Sequence, residues 1–223
     1  MTRLSTLKLI GDGHIGYDIG NLTNLTELIV ESGDVNHILP RLVKLVNLRV
    51  GVDVSDDVLK NCINIKKLFI ETCNISRSNF KYLTNITSLC LVETDCVTEK
   101  ILKKLTNLTY LYLDCTDIAD FKYVPQLQHL SIYYTDVDTE SFTYLTNLTN
   151  LCCYQNDFDC GDLRHLTALV SLRLGICNTN EIKYDDLEGL TNLTELHLDD
   201  ATHLSPGRLG FYLTRLQKIY LGC

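Results

Sequence analysis

The frame Leu-Thr-Asn-Leu-Thr-x-Leu returns throughout this chain, and recurrence at one spacing constrains a fold more than any single residue does. It stands as Leu22 to Leu28, Leu105 to Leu111, Leu145 to Leu151 and Leu190 to Leu196. A unit this short cannot bury its apolar edge alone and must stack on copies of itself. Aligning the apolar positions gives eleven units, led by Met1, Leu22, Leu42, Cys62, Leu83, Leu105, Val124, Leu145, Leu166, Leu190 and Leu213. Their spacing stays near 20–24 residues.

Within a unit, Leu108-Thr109-Tyr110-Leu111-Tyr112-Leu113-Asp114 alternates with period two, the mark of a short strand. Leu111 and Leu113 face inward, and Tyr110, Tyr112 and Asp114 share the opposite side. Stacked units lay such strands side by side in a parallel sheet. After each strand the chain turns, and Asn, Cys or Thr there can bond backbone groups left unpaired inside the coil. An apolar plug commonly follows, such as Val35, Ile75, Ile118, Val137 or Phe158. On the return leg, Phe80, Phe121, Phe142, Leu163 and Leu187 each precede the next lead residue by three, which suits one helical turn. Residues 97–104 are expected to form a short helix capped by Thr98. The longest returns, 179–189 and 202–212, are expected to hold irregular insertions, with Pro206-Gly207 marking a loop.

Three stretches carry a family resemblance: Ile65 to Ile75, Leu108 to Ile118 with Thr116 at the turn, and Leu148 to Phe158 with Asn156 there. The chain resembles leucine-rich repeat proteins over its whole length, and its lead-in is similar to the short repeats of bacterial internalins. Other units place Gly33, Asp53, Cys73, Thr94, Thr135, Cys177 or Ala201 at the turn. The resemblance implies an α/β solenoid, a right-handed arc with a parallel β-sheet on the concave face and short helical or 3-10 turns on the convex face. It also implies a single domain over 1–223, of about eleven repeats without obvious caps.

Charge and cysteine usage narrow the function classes. The net charge is −8 and no Lys/Arg-rich run occurs, which argues against tracking nucleic-acid phosphates or anionic membranes. No segment approaches the run of about 18 apolar residues needed to span a bilayer. Ten cysteines without a recognisable export signal point to free thiols in a reducing compartment, hence a cytoplasmic location. Cys62, Cys96 and Cys153 stand where other units carry Leu, Ile or Val and are read as small buried hydrophobes. Cys-x-x-Cys is absent, and Cys152 and Cys153 would point to opposite sides of a strand.

Three local motifs invite sharper readings. Gly11-x-Gly13-x-x-Gly16 matches a dinucleotide fingerprint, but the next repeat begins too soon for the helix that such a motif needs. The glycines are read instead as permitting a sharp bend after the strand. Seven Asn-x-Ser/Thr sequons occur, at Asn21, Asn24, Asn74, Asn85, Asn107, Asn147 and Asn192; five are by-products of the repeated frame and are read as repeat grammar. Glu195, His197 and Asp199 alternate along one strand, with Arg173 and Lys218 placed to neutralise them across neighbouring strands. They are read as a solvated charge network.

The outward strand positions are the most informative. Reading them unit by unit gathers tyrosines near the centre of the concave wall, including Tyr134, bordered by Asp114 and Glu93. The candidate partner-binding residues are Phe69, Tyr110, Tyr112, Asp114, His129, Tyr133 and Tyr154. An aromatic centre inside a polar rim has the make-up of a protein-binding hot spot. No catalytic residue, metal ligand or cofactor is assigned. The expected function is a non-catalytic scaffold recognising a protein partner, with no nucleic acid and no membrane. Alternatives are a regulatory subunit of a cytosolic enzyme, as some short-repeat members of the family are, and a structural protein associating end to end.

Overall fold

Alternating apolar residues set every strand of the computed structural model, which describes residues 3–11, 16–72, 74–118, 120–154, 160–175, 182–199 and 201–222. Two compact units, Met1–Leu108 and Thr109–Cys223, make up the chain. In the first, β1 (Thr6–Leu9), β2 (Glu27–Val30), β3 (Asn47–Val50), β4 (Lys67–Glu71) and β5 (Ser88–Val92) pair in parallel and in chain order. The second contains β6 (Tyr110–Asp114), β7 (His129–Tyr133), β8 (Asn150–Tyr154), β9 (Ser171–Gly175), β10 (Glu195–Leu198) and β11 (Lys218–Leu221), arranged in the same way.

Register follows the leucines. Leu111, Leu130, Leu151, Leu172 and Leu196 stand opposite one another across β6 to β10, and all five are buried. A slip of one residue would turn each to water, so burial fixes the pairing. Each such side chain contributes about 1.5–3 kcal/mol through apolar burial. The plugs Val35, Ile75, Ile118 and Val137 are buried too, as are Cys62, Cys96 and Cys153.

The sheet's other side is closed by short turns. 3-10 helices occupy Tyr17–Asn21, Leu39–Arg41, Val58–Asn61, Arg77–Lys81, Thr139–Tyr144 and Cys160–His165. Phe80, Phe121, Phe142, Leu163 and Leu187 are all buried on these legs, with the Phe121 and Phe142 rings stacked at 6.0 Å. Among the described residues three pieces are α-helical: α1 (Glu99–Leu102), α2 (Tyr184–Glu188) and α3 (Pro206–Tyr212). Two expectations need correcting. Thr98 precedes α1, but its side chain makes no cap hydrogen bond. Pro206-Gly207 opens α3 rather than marking a loop, because proline lacks an amide hydrogen where the first helical position has no use for one.

The repeated frame has a mechanical reason. Asn64, Asn85 and Asn107 donate Nδ2 to the main-chain oxygens of Val43, Ile63 and Thr84, at 3.0, 2.9 and 3.1 Å. In the second unit Asn147 and Asn192 do the same to Pro125 and Thr167, at 3.1 and 3.0 Å. Two residues further on, Thr26, Thr87, Thr149 and Thr194 donate their hydroxyls to oxygens one coil back. At Asn85, Asn147 and Asn192 both the asparagine and the threonine of the sequon bond the preceding coil.

At the turns, the amide of Thr116 donates to Thr135 Oγ1 at 3.3 Å, and that hydroxyl donates to the Tyr133 carbonyl at 2.9 Å. In the first unit, Asp53 Oδ1 accepts from the Asn74 amide at 2.7 Å. The Thr135 hydroxyl satisfies backbone inside the coil, whereas the Asp53 bond lies at the exposed surface of the turn. The residue before the turn position adopts a left-handed conformation at Thr72, Glu93, Cys115 and Tyr134, with φ between 47° and 50°. Gly11, at φ 88°, makes the post-strand bend. Residues 12–15 of the glycine motif, the turn residues Cys73, Asn156 and Cys177, and the plug Phe158 lie outside the described residues.

Candidate binding face

Period-two alternation puts every second residue of β6 to β10 on the open side of the second unit's sheet. Register then lines Asp114, Tyr133, Tyr154 and Gly175 up across β6 to β9. Asp199, one residue past β10, continues the row through its amide bond to the Leu174 carbonyl at 2.9 Å. Tyr112 faces Ser131, and that small residue lets the Tyr112 ring lean across to Tyr133. Their centroids lie 5.1 Å apart at 28°. The Tyr133 and Tyr154 rings are nearly parallel, 5.5 Å apart at 4°. Three tyrosines thus form one stack, each ring pair contributing about 0.5–1.5 kcal/mol beyond its burial.

Polar atoms fix the stack's surroundings. The Tyr112 hydroxyl donates to Asp114 Oδ2 at 3.5 Å. The Tyr133 hydroxyl lies 3.4 Å from Cys152 Sγ; burial, and secondly that contact, push the phenol well above its ordinary pKa. Beyond Tyr154 the row has a gap at Gly175, and the tyrosine ring fills it. A Cβ on Gly175 would stand 2.1 Å from Tyr154 Cε1 and 2.6 Å from Asp199 Oδ2.

Beside the stack lies an open depression of about 400 Å³, lined by residues including Tyr110, His129, Asn150, Cys152, Arg173 and Glu195. The Tyr110 and His129 rings lean together at 6.0 Å. Arg173 donates to Glu195 Oε1 at 2.7 Å and holds that carboxyl below its usual pKa. With the arginine about half exposed, solvent screens the pair. His197 Nε2 lies 3.2 Å from Asp199 Oδ1. Arg173 and His197 thus pair with Glu195 and Asp199, and Lys218 stands opposite Glu195, the polar grouping that their spacing suggests. Among the described residues, no group of three His, Cys, Asp or Glu could hold a metal ion.

Tyr110, Tyr112, Asp114, His129, Tyr133 and Tyr154 share one unit and one face. Phe69 belongs to the first unit, where the Arg49 guanidinium covers its ring at 4.1 Å and bonds Glu71 at 2.7 Å. Lys8 pairs with Glu31 at 3.4 Å on the same side. Tyr134 stands one residue past β7, 58% exposed, off the outward strand positions. Gly175 is the position in this row that sequence reasoning passed over; a glycine at an outward strand position beside a tyrosine was the available signal. Burial drives the Cys62 thiol up to about 12 and raises Cys96, which leaves both as packing residues. No described helix is long and apolar enough to cross a membrane.

No family model and no curated protein matches the chain. Solved structures do. An internalin of Listeria monocytogenes is similar at 24% identity and a TM-score of 0.62, over 91% of this chain and 68% of its own. A leucine-rich repeat protein of Leptospira interrogans is similar at 21% identity and a TM-score of 0.72, over 99% of this chain and 61% of its own. A chain of the Drosophila Toll–Spatzle complex matches at 13% identity and a TM-score of 0.65, over 100% of this chain and 38% of its own. At such identities the likeness establishes a shared fold. The fold is the leucine-rich repeat solenoid, with internalin-type short repeats.

Proposed function

We propose that this chain is a non-catalytic scaffold that binds a protein partner through the open sheet face of its second unit. The observation that carries this reading is the three-ring stack of Tyr112, Tyr133 and Tyr154 beside an open depression. Tyrosine contributes large contact area at low entropy cost, since only two side-chain torsions have to be fixed. Here the rings are held against one another before any partner arrives, so still less freedom is lost on binding. The Toll–Spatzle complex adds a case in which a protein of this fold occurs in an assembly.

The test is a capture experiment with the intact chain and with the Tyr112→Ala/Tyr133→Ala variant, followed by hydrogen-exchange footprinting of the purified complex. A partner held through this face should bind the variant at least tenfold more weakly and protect β6 to β8. Equal capture by both proteins, or protection confined to other surfaces, sinks the reading.

A further inference from the structure

The charge of the chain is divided unevenly. Residues 1–108 hold 13 Lys/Arg and 12 Asp/Glu, net +1; residues 109–223 hold 7 and 16, net −9, and together these give the −8 of the whole. The imbalance is sharpest in the coils that carry the tyrosines. Residues 105–163 contain nine carboxylates and one cationic side chain, Lys122, and Lys122 pairs with Asp120.

The outward strand positions show the same contrast. On the first unit, Lys8, Arg49 and Lys67 are matched in number by Glu27, Glu31 and Glu71, with two of them paired directly. There the protein lays its own guanidinium on an aromatic ring, Arg49 on Phe69, with Glu71 as counter-charge. Among the described residues of the second unit, the outward Arg173 and Lys218 both face Glu195, with Arg173 also near Tyr154. The tyrosine row is instead flanked by Asp114 and Asp199, with the exposed carboxylates Asp117 and Asp136 just past β6 and β7.

We infer that the partner presents a basic segment, a stretch of chain bearing Lys or Arg side chains, to the row from Asp114 through Tyr133 and Tyr154 to Asp199. The inference rests on the protein-binding reading above and names the chemistry of its partner. The stacked rings cover one another's faces, so the attraction for a cation comes from the carboxylates that flank them, Asp114 and Asp199. An acidic segment would meet like charge and a neutral one would lose this attraction, so the row selects by sign.

The experiment uses the intact chain and fluorescently labelled 12-residue peptides of equal apolar content with net charge +4, 0 and −4, read by anisotropy. The +4 peptide should bind at least tenfold more tightly than the neutral one, the −4 peptide should not bind, and the preference should fade as salt is raised. Asp114→Asn/Asp199→Asn should weaken the +4 peptide at least fivefold. Asp185→Asn/Glu188→Gln, which removes the same charge from exposed positions on α2, should change binding less than twofold. Equal losses from the two double variants would mean that net charge alone attracts the peptide, and the inference fails. Tyr133→Leu separates the two proposals. If it weakens cationic and neutral peptides alike, and these bind equally well to begin with, the face binds protein but the basic partner is wrong. If it changes no peptide's binding, the face reading itself falls.

Discussion

The ring of Tyr154 occupies the space in which a side chain on Gly175 would begin: a Cβ there would lie 2.1 Å from Cε1 of the tyrosine. Neither residue's identity explains the arrangement alone. Register sets them opposite one another on β8 and β9, and the missing side chain lets the ring lie nearly parallel to Tyr133.

Gly175→Ala should therefore act on the stack rather than on the fold. The Tyr154 ring and the Asp199 carboxylate must both shift, since neither contact is tolerable, and the Tyr133–Tyr154 pair is lost. Thermal stability should fall by no more than about 1.5 kcal/mol, the upper worth of one ring pair. Binding of the cationic peptide should weaken at least threefold, and the near-ultraviolet circular dichroism of the tyrosines should change. Unchanged dichroism together with unchanged binding would show that the ring has another resting place.

The asparagine ladder makes a separate prediction. Asn147 Nδ2 donates to the Pro125 carbonyl one coil earlier, at 3.1 Å. Asn147→Ala removes that bond from a solvent-exposed site and should cost about 0.5–1.5 kcal/mol in urea unfolding. Asn147→Asp should cost at least as much, because a carboxylate cannot donate to a carbonyl. If both variants unfold at the wild-type urea concentration, the ladder is not what maintains the Thr-Asn-Leu-Thr frame.

Much of this was legible in the amino-acid order because solenoids translate spacing directly into position. Once Leu111 and Leu113 are assigned inward, Tyr110, Tyr112 and Asp114 have nowhere else to go, and the burial of both leucines agrees. Thr135 likewise serves its turn, its hydroxyl accepting from the Thr116 amide and donating to the Tyr133 carbonyl. What could not be read depends on relations between coils that are not in strict register. Tyr112 stacks on Tyr133, a diagonal neighbour, because Ser131 is small; Arg49 reaches Glu71 on the next strand by the same kind of diagonal. Pro206-Gly207 was ambiguous for a local reason: the same pair opens a helix or breaks one, depending on its position relative to the first turn.

Tyr134 offers a stability gain without a binding cost. Its φ of 47° places a non-glycine residue in the left-handed region, which costs an L-residue about 1–2 kcal/mol. Tyr134→Gly removes that strain but adds freedom to the unfolded chain worth about 0.4–1 kcal/mol. The net expectation is a modest stabilisation, up to about 1 kcal/mol. Since Tyr134 stands outside the stack, peptide affinity should stay within twofold. Destabilisation would mean that the exposed ring contributes more to packing than its 58% accessibility suggests.

Acid should weaken the fold through carboxylates whose partners hold them ionised. Asp57 lies below its ordinary 3.8 because the Lys81 ammonium bonds it at 2.9 Å. Asp34 is lowered by the amide and side chain of Asn36, and Glu195 falls below its ordinary 4.5 beside Arg173. A carboxyl whose folded pKa is depressed contributes stability that is fully present above its unfolded value and disappears as pH falls through the folded one. Tm should therefore hold level above about pH 5.5 and decline progressively below about pH 4.5. Lys81→Met removes the principal cause of the Asp57 shift and should flatten the decline between about pH 4.5 and pH 3, while lowering Tm slightly at neutral pH. The check is Tm against pH for both proteins at low ionic strength, where exposed pairs are least screened. If the two curves run parallel through that window, Asp57 and Lys81 do not contribute to acid sensitivity, and the decline belongs to the other carboxylates.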